Sequence, residues 1–178
     1  LVFLFVWNSM SRRPPDPVCV LRGHTSPISC VDSVDHFLLS GTQSGDVAVW
    51  NTQTRHMEEF MPKYHIGGAL QVQVISDTHF FTHGREGILR IIDRQKGFST
   101  PVEQMDCASL TFMKATVARD SDGNAIFTPG NMDSINLYDR REGKSSQFLD
   151  RQPSKGMVMA MEGSINADCS RFVVMLPA

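Results

Sequence analysis

Two histidines, His79 and His83, lie four residues apart in the segment HFFTH. On a helix this spacing places two imidazoles on one face, where they can hold a metal ion. The segment is rich in residues that favour strands, and in a strand residues four apart also share a face. No glutamate accompanies the pair as it does in a zinc-protease helix. We therefore interpret both histidines as surface or capping residues and predict no metal site.

Other arrangements that carry catalysis are missing from the sequence. There is no nucleophile elbow, no GxxxxGK[ST] phosphate loop and no pair of carboxylates in a plausible pocket setting. Asp120, Asp122 and Gly123 superficially resemble a calcium loop, but the terminal glutamate is absent and a type I or I′ turn at DGN explains the string better. We predict no catalytic activity and no cofactor.

Composition narrows the class of protein. The 178 residues include 17 Lys and Arg against 19 Asp and Glu, a net charge of −2, so the basic footprint of a nucleic-acid binder is missing. A hydrophobic content of 41% supports a core, and 13 Gly with 9 Pro argue against long helices. The cysteines form no CxxC pair, which favours a reduced, intracellular protein: they are Cys19, Cys30, Cys107 and Cys169.

The N-terminal residues LVFLFVW are apolar but too short to span a membrane, and they lack the flanks of a signal peptide. From Met10 the sequence is polar and rich in proline, as is typical of a disordered terminus. We predict that residues 1–16 are a disordered or spurious extension, and we expect no membrane association. The final residues FVVMLPA stop within a strand-like run, so we expect the chain to be a fragment.

An internal repeat indicates the elements that position these residues. The segment SGTQSGDVAVWN from Ser40 aligns without gaps with THGREGILRIID from Thr82, at a period of roughly 42 residues that is typical of four-stranded propeller blades. A third copy, TPGNMDSINLYD, begins at Thr128. Three copies of one plan predict a repeat architecture.

Each copy reads as two strands joined by a tight turn, for which Gly41, Gly45 and Gly87 supply the positive φ. Both faces of the second strand are apolar, as expected where neighbouring blades pack on both sides. One strand-like run precedes each copy (PISCVDS, ALQVQVIS and SLTFMKATV) and another follows it (HMEEFM, PVEQM and SSQFL). The sequence therefore predicts four antiparallel strands per unit.

The motif LRGH, the string SGTQSGDVAVWN and the repeat period resemble the WD40 repeat family. The longer run PPDPVCVLRGHTSPISCV resembles the ASTRA-associated, G-protein β-subunit-like members of that family, and the closer match covers approximately residues 14–94. Such members form seven-bladed propellers. The resemblance predicts an all-β fold, a partial WD40 β-propeller over 17–178 with about three and a half blades. Its parts are a closing strand (17–22), blade 1 (about 24–61), blade 2 (about 65–105), blade 3 (about 108–150) and the start of blade 4 (about 156–178).

WD40 blades commonly contain a buried hydrogen-bonded set of His, Ser or Thr, Trp and Asp. The resemblance assigns seven residues to these sets: His24, Ser40, Trp50, His65, Thr82, Thr128 and Tyr138. Ser44, Glu86 and Asp133 stand near the Asp positions, and Ile92 replaces Trp in blade 2. We interpret these residues as structural, because a buried His or Trp must find a partner.

Loops that start the first strand or join the second to the third reach the binding face of a propeller. Six residues on such loops are candidate partner contacts: Thr25, Ser26, Thr42, Gln43, Arg85 and Glu86. Arg85 is the first candidate because arginine is enriched among interface hot spots. The alternative interpretation is a solvated surface arginine.

The resemblance implies a non-catalytic scaffold that binds proteins and has no direct contact with nucleic acid. Related proteins associate with the co-chaperone machinery that matures phosphatidylinositol 3-kinase-related kinases and, in fungi, with a chromatin-linked complex containing one such kinase. We accordingly expect a location in cytoplasm and nucleus.

An alternative function is a substrate receptor of a cullin-type ubiquitin ligase. Such receptors often end a blade strand with Trp-Asp-x-Arg, which Tyr138, Asp139, Arg140 and Arg141 match loosely. A solvated basic turn before Glu142 explains the two arginines better.

Overall fold

Short apolar runs separated by glycine-containing turns form antiparallel strands throughout the computed structural model, which describes residues 2–5, 17–98, 100–107, 113–117, 125–130, 134–149, 160–163 and 172–175. The first two strands are β1 (Val2–Phe5) and β2 (Pro17–Leu21). Blade 1 contains β3 (Ile28–Val34), β4 (Phe37–Thr42), β5 (Val47–Asn51) and β6 (His56–Met61). Blade 2 contains β7 (Ala69–Val74), β8 (His79–Gly84), β9 (Ile88–Asp93) and β10 (Glu103–Asp106). Blade 3 contains β11 (Thr116–Val117), β12 (Ala125–Pro129), β13 (Ile135–Asp139) and β14 (Lys144–Leu149). The last pair is β15 (Ala160–Gly163) and β16 (Phe172–Met175).

Each blade is a four-stranded meander in which consecutive strands pair antiparallel. The predicted all-β fold is confirmed, and the described residues contain no helix, hence none that could cross a membrane. Strands β15 and β16 pair antiparallel where the sequence predicts the start of a fourth blade. Of the run SLTFMKATV, the structure describes the last five residues, and β11 begins at Thr116.

The core lies between blades because their central strands are buried on both faces. One cluster joins Leu39 and Val49 of blade 1 to Val72 and Phe80 of blade 2. A second joins Phe81 and other residues of blade 2 to Ile126 and its neighbours in blade 3. Burial of an aliphatic or phenyl side chain stabilises by about 1.5–3 kcal/mol, so these interfaces hold neighbouring blades together.

Two of the three predicted glycine turns have the expected backbone: φ is +91° at Gly45 and +79° at Gly87. The prediction for Gly41 is wrong, because Gly41 lies within β4 and is not among the positive-φ residues. A Cβ at Gly41 would lie 2.7 Å from both Ala69 Cβ and Cys30 Sγ. Glycine at this position therefore permits the close approach of β4 to the inner strands of blades 1 and 2.

Within the predicted extension 1–16, the structure describes residues 2–5, which form strand β1. Strand β1 pairs antiparallel with β2, from Val2 opposite Leu21 to Phe5 opposite Pro17. An apolar run has high β-propensity, and β2 otherwise presents an open edge, which explains the pairing. Leu21 at the end of β2 packs with Leu38 and Trp50 on the face of blade 1 opposite blade 2.

Candidate functional site

Blade 1 brings His24, Ser40 and Trp50 together. The indole Nε1 of Trp50 donates to Ser40 Oγ at 2.7 Å, and Ser40 Oγ lies 2.7 Å from His24 Nε2, to which its hydroxyl proton can be donated. Trp50 and Ser40 are buried, and the rings of His24 and Trp50 meet edge to face with centroids 5.6 Å apart. This set ties the loop before β3 to the two central strands.

The acidic position of blade 1 is arranged differently. Ser44, which stands where the Asp is expected, donates to Asp46 Oδ2 at 2.6 Å, while His24 Nδ1 is buried without a hydrogen-bond partner among the described residues. Burial raises the pKa of Asp46, but hydrogen bonds from Ser44, the Lys63 backbone amide and Thr42 outweigh it and lower the pKa. Asp46 is therefore an ionised anchor for the loop that carries Lys63.

Blade 2 has a fuller set, built from a histidine and a glutamate. His65 Nε2 lies 2.9 Å from Thr82 Oγ1, and His65 Nδ1 lies 2.7 Å from Glu86 Oε1. Arg90 donates to the same glutamate oxygen at 3.0 Å and to the Tyr64 carbonyl at 3.0 Å. Its guanidinium lies 5.1 Å from the centre of the Tyr64 ring, a cation–π contact.

The titration of this pair follows from burial and pairing. Burial lowers the pKa of His65, and the hydrogen bond to Glu86 offsets only part of that effect. Burial raises the pKa of Glu86, but the contacts with His65 and Arg90 outweigh it, so the pKa is lowered. Near neutral pH the pair is therefore a neutral imidazole donating from Nδ1 to a carboxylate and accepting from Thr82 at Nε2.

Replacing Thr82 by Val is expected to destabilise the chain by about 2 kcal/mol, because an isosteric methyl leaves His65 Nε2 buried without a donor. His65 is only 1% exposed, so water is not a substitute partner. Urea unfolding followed by far-UV circular dichroism measures the change. Thr82→Ser, which keeps the hydroxyl, is the control and should lose less. A loss in Thr82→Val no larger than the loss in Thr82→Ser would contradict the prediction, because valine keeps the methyl group and removes only the hydrogen bond.

Blade 3 uses its residues otherwise. Thr128 is buried in β12, but no hydrogen bond joins it to Tyr138. The Tyr138 hydroxyl instead donates to Glu103 Oε2 of blade 2 at 3.1 Å, and Arg140 donates to Glu103 Oε1 at 2.9 Å. The Tyr138 hydroxyl therefore bridges blades 2 and 3 instead of closing a hydrogen-bonded set within blade 3.

Among the predicted contact residues, Thr25, Gln43 and Arg85 are exposed and Ser26 is half-buried. Thr42 is fully buried, and its hydroxyl is held by Ser44 and Asp46. Glu86 is committed to His65 and Arg90, as described above. The structure thus places the polar groups of Thr42 and Glu86 in hydrogen bonds and ion pairs within the blades.

Two surface residues were missed by the sequence analysis. Ile66 is 78% exposed, the most exposed of the large apolar residues in the described chain, and Lys63 is exposed on the same loop. The sequence contains a signal for this exposed site. Ile66 lies in a loop between His65, which is expected to be buried, and two glycines, so no neighbouring strand covers its side chain.

The histidines of HFFTH separate in the structure. His79 is half-buried and lies 3.9 Å from Asp93 Oδ2. The surface interpretation is wrong for His83, which is 1% exposed with both ring nitrogens lacking a partner among the described residues. Among the residues that the structure describes, no three His, Cys, Asp or Glu side chains form a cluster that could hold a metal ion. Asp120, Asp122 and Gly123 lie outside the described residues, as does Cys169.

The two arginines of the Trp-Asp-x-Arg-like string have different surroundings. Arg140 is largely buried in the bridge to Glu103, with 12% of its side chain exposed. The Arg141 side chain is 65% exposed, and its backbone amide donates to Asp139 Oδ1 at 2.8 Å. This is an Asx turn followed by an exposed arginine.

Comparison with known proteins agrees with this geometry. No protein-family model matches the chain. It is 35% identical over 77 residues to ASTRA-associated protein 1 of Yarrowia lipolytica, covering 43% of this chain and 18% of that protein. It is 32% identical over 123 residues to ASTRA-associated protein 1 of Clavispora lusitaniae, covering 64% of this chain and 33% of that protein. The chain therefore spans a third or less of the length of these relatives.

The fold matches solved WD40 β-propellers. The WD40 repeats of RRP9 superpose with a TM-score of 0.61 at 16% sequence identity, covering 82% of this chain and 44% of the other. At that identity the match supports the fold alone. The chain thus has the fold of part of a WD40 β-propeller, and its sequence is similar to that of the fungal ASTRA-associated protein 1.

Proposed function

We propose that the chain is part of a non-catalytic protein-interaction scaffold that assists the co-chaperone-dependent maturation of phosphatidylinositol 3-kinase-related kinases, or the assembly of a chromatin-linked complex containing one, in cytoplasm and nucleus. The observation that carries the proposal is the similarity to ASTRA-associated protein 1 over blades whose loops are held rigid by buried hydrogen bonds. A rigid ring that displays loops suits binding more than chemistry.

The surroundings of the polar residues support binding rather than catalysis. His65 and Glu86, an acid–base pair by chemistry, are bonded to each other and to Thr82 and Arg90. A general acid or base must reach a substrate proton, and these side chains are occupied inside the blade. Their role is to position the loops around them.

Affinity purification of the 178-residue chain, beside a version extended to the full transcript, tests the proposal. We expect kinase-maturation co-chaperones among the proteins that co-purify, identified by mass spectrometry, and we expect more of them with the extended version because a closed propeller presents more loops. The Thr82→Val variant should recover less, in proportion to its lost stability. Recovery of no such co-chaperone by either version would contradict the proposal.

The exposed Arg141 keeps a second candidate function open, a substrate receptor of a cullin-type ubiquitin ligase. In that case a ligase adaptor should co-purify and should be lost on Arg141→Ala, since the guanidinium is at the surface and its removal disturbs no buried contact. Arg140→Ala is not an equivalent test, because it breaks the bridge to Glu103. Absence of any adaptor would remove this candidate.

A further inference from the structure

Four loops of blades 1 and 2 lie at one end of the sheets and form one surface. They are residues 22–27, 43–46, 62–68 and 85–87, each of which leads into or joins blade strands at the same end of the meander. Backbone hydrogen bonds tie them together: Gln43 N to Pro27 O at 2.9 Å, His65 N to Gly45 O at 3.0 Å, and Arg85 N to Gly68 O at 2.9 Å. The loop 62–68 therefore lies between the loops 43–46 and 85–87, and a backbone hydrogen bond joins it to each of them. We call this the top-loop surface.

The exposed charges of the top-loop surface are basic, although the chain as a whole is slightly acidic. Its exposed charged residues at the tied loop ends are Lys63 and Arg85, whereas Arg22 is exposed beside Gly23, which lies against Met57 and Trp50. Its two acids are turned inward: Asp46 is 7% exposed and bonded to Ser44 and the Lys63 amide, and the Glu86 carboxylate is bonded to His65 and Arg90. Inward-turned acids leave the outer potential of these loops positive.

Ile66 stands on the middle loop of this basic surface. A single exposed aliphatic residue is ordinary, but Ile66 is 78% exposed between the buried His65 and two glycines whose φ values are +78° and +118°. The side chain of Arg85 runs beside those glycines, with its Cβ 3.8 Å from where a Cβ of Gly67 would lie. The positive-φ glycines and the anchored histidine hold Ile66 outward on a loop whose glycines lie next to the Arg85 side chain.

From this juxtaposition we propose that the top-loop surface binds an acidic peptide segment of a partner protein, which places one apolar side chain on Ile66 and carboxylates near Lys63 and Arg85. The inference rests on the proposed scaffold function and adds the chemistry of the partner. Charge complementarity selects an acidic ligand, and the exposed aliphatic side chain favours a protein, because Ile66 offers an apolar contact and not a stacking platform for a base.

Fluorescence anisotropy with a labelled short peptide of Asp and Glu containing one central Leu tests this proposal on the 178-residue chain. Ile66→Ser should weaken binding about tenfold, the loss expected for an exposed aliphatic contact. Lys63→Glu should also weaken it about tenfold at low salt and less at high salt, because exposed charges are screened. A peptide with Ser in place of Leu should bind more weakly and be insensitive to Ile66→Ser, which couples the two side chains.

The matched control is Arg55→Glu, the same change of charge sign on the exposed turn between β5 and β6 at the opposite end of the blade. It should leave affinity within about twofold of the parent. Equal weakening by Arg55→Glu and Lys63→Glu would overturn the proposal, as would equal binding of the Leu and Ser peptides. Displacement of the peptide by a single-stranded RNA at matched charge would also overturn it in favour of nucleic acid. Circular dichroism of each variant at the assay temperature verifies folding.

These outcomes separate the surface from the scaffold function. If co-chaperones purify equally well with the parent and with Ile66→Ser, and the peptide does not bind, the function stands and the surface proposal fails. If the peptide binds with the expected dependence on Ile66 and Lys63 while no co-chaperone purifies, the surface stands and the kinase-maturation role fails.

Discussion

Replacing Trp50 by alanine is expected to lower the free energy of unfolding by about 4 kcal/mol, enough to unfold much of a marginally stable chain. Trp50 is 2% exposed and packs with Leu21, Leu38 and Ala48. Its removal leaves a large cavity, and it also leaves Ser40 Oγ without the indole donor at 2.7 Å. The variant loses the free energy of burying the indole and also pays for the cavity, because the residues around it belong to three strands that cannot easily close the space.

Far-UV circular dichroism during urea unfolding is the appropriate measurement, because Trp50 is one of two tryptophans and its replacement changes the fluorescence signal itself. Trp50→Phe separates the two causes: it keeps most of the ring volume but not the N–H, so we expect a loss of about 1–2 kcal/mol. If alanine and phenylalanine variants were equally unstable, the hydrogen bond and not the packing would dominate.

The large effect expected for Trp50 reflects the different residues that the three blades have at this position. Blade 2 has Ile92 at the corresponding place, and it stabilises its loop through the His65 and Glu86 pair with Arg90. Blade 3 has Tyr138, whose hydroxyl reaches Glu103 in the neighbouring blade. Among the three described blades, blade 1 combines an indole with a serine and a histidine. Alanine at Ile92 or Tyr138 should therefore cost less unfolding free energy than alanine at Trp50.

The sequence predicted the strands well because their signal is local. The period-two burial of β3 and the burial of β5 on both faces follow from alternation and turn chemistry within a few residues. Gly45 has the expected positive φ for the same reason. Gly41 was misjudged because its requirement comes from Ala69 and Cys30, which pack against it from other strands.

The site was less predictable because exposure depends on contacts that are distant in sequence. Thr42 and Glu86 are on predicted loops, yet each is turned inward by a partner that spacing does not reveal, Asp46 for one and His65 for the other. Ile66 is exposed for the complementary reason, since the histidine before it occupies the interior. The position of a residue in a loop thus predicted that the loop lies at the surface. Hydrogen bonds between side chains determine which residues of that loop are exposed.

His83 gives the second large effect, a loss of stability in acid. It is 1% exposed, and burial lowers its pKa to about 4, with proximity to His65 adding to the effect and Glu86 opposing it. In the unfolded chain a histidine has a pKa of about 6.5. The folded state therefore excludes a proton that the unfolded state binds, so stability is full above about pH 6.5 and falls as the pH drops towards 4.

Between about pH 7 and about pH 4.5 this single group should cost roughly 2.5 kcal/mol of unfolding free energy. His83→Leu should remove most of that slope while changing stability little at neutral pH, because an apolar side chain of similar size replaces one whose two nitrogens have no partner in the described structure. Some slope should remain, since the lowered pKa of His65 acts in the same direction.

Urea unfolding at a series of pH values measures the slope, and His56→Gln is the control because it removes an imidazole from the surface instead of the interior. The difference between the two variants isolates the burial of His83 from the general titration of the chain. An unchanged slope in His83→Leu would mean that His83 accepts a proton in the folded state at the same pH as in the unfolded chain. The interface between blades 2 and 3 would then have to hold a charged imidazole, which its apolar lining of Phe81 and Leu89 argues against.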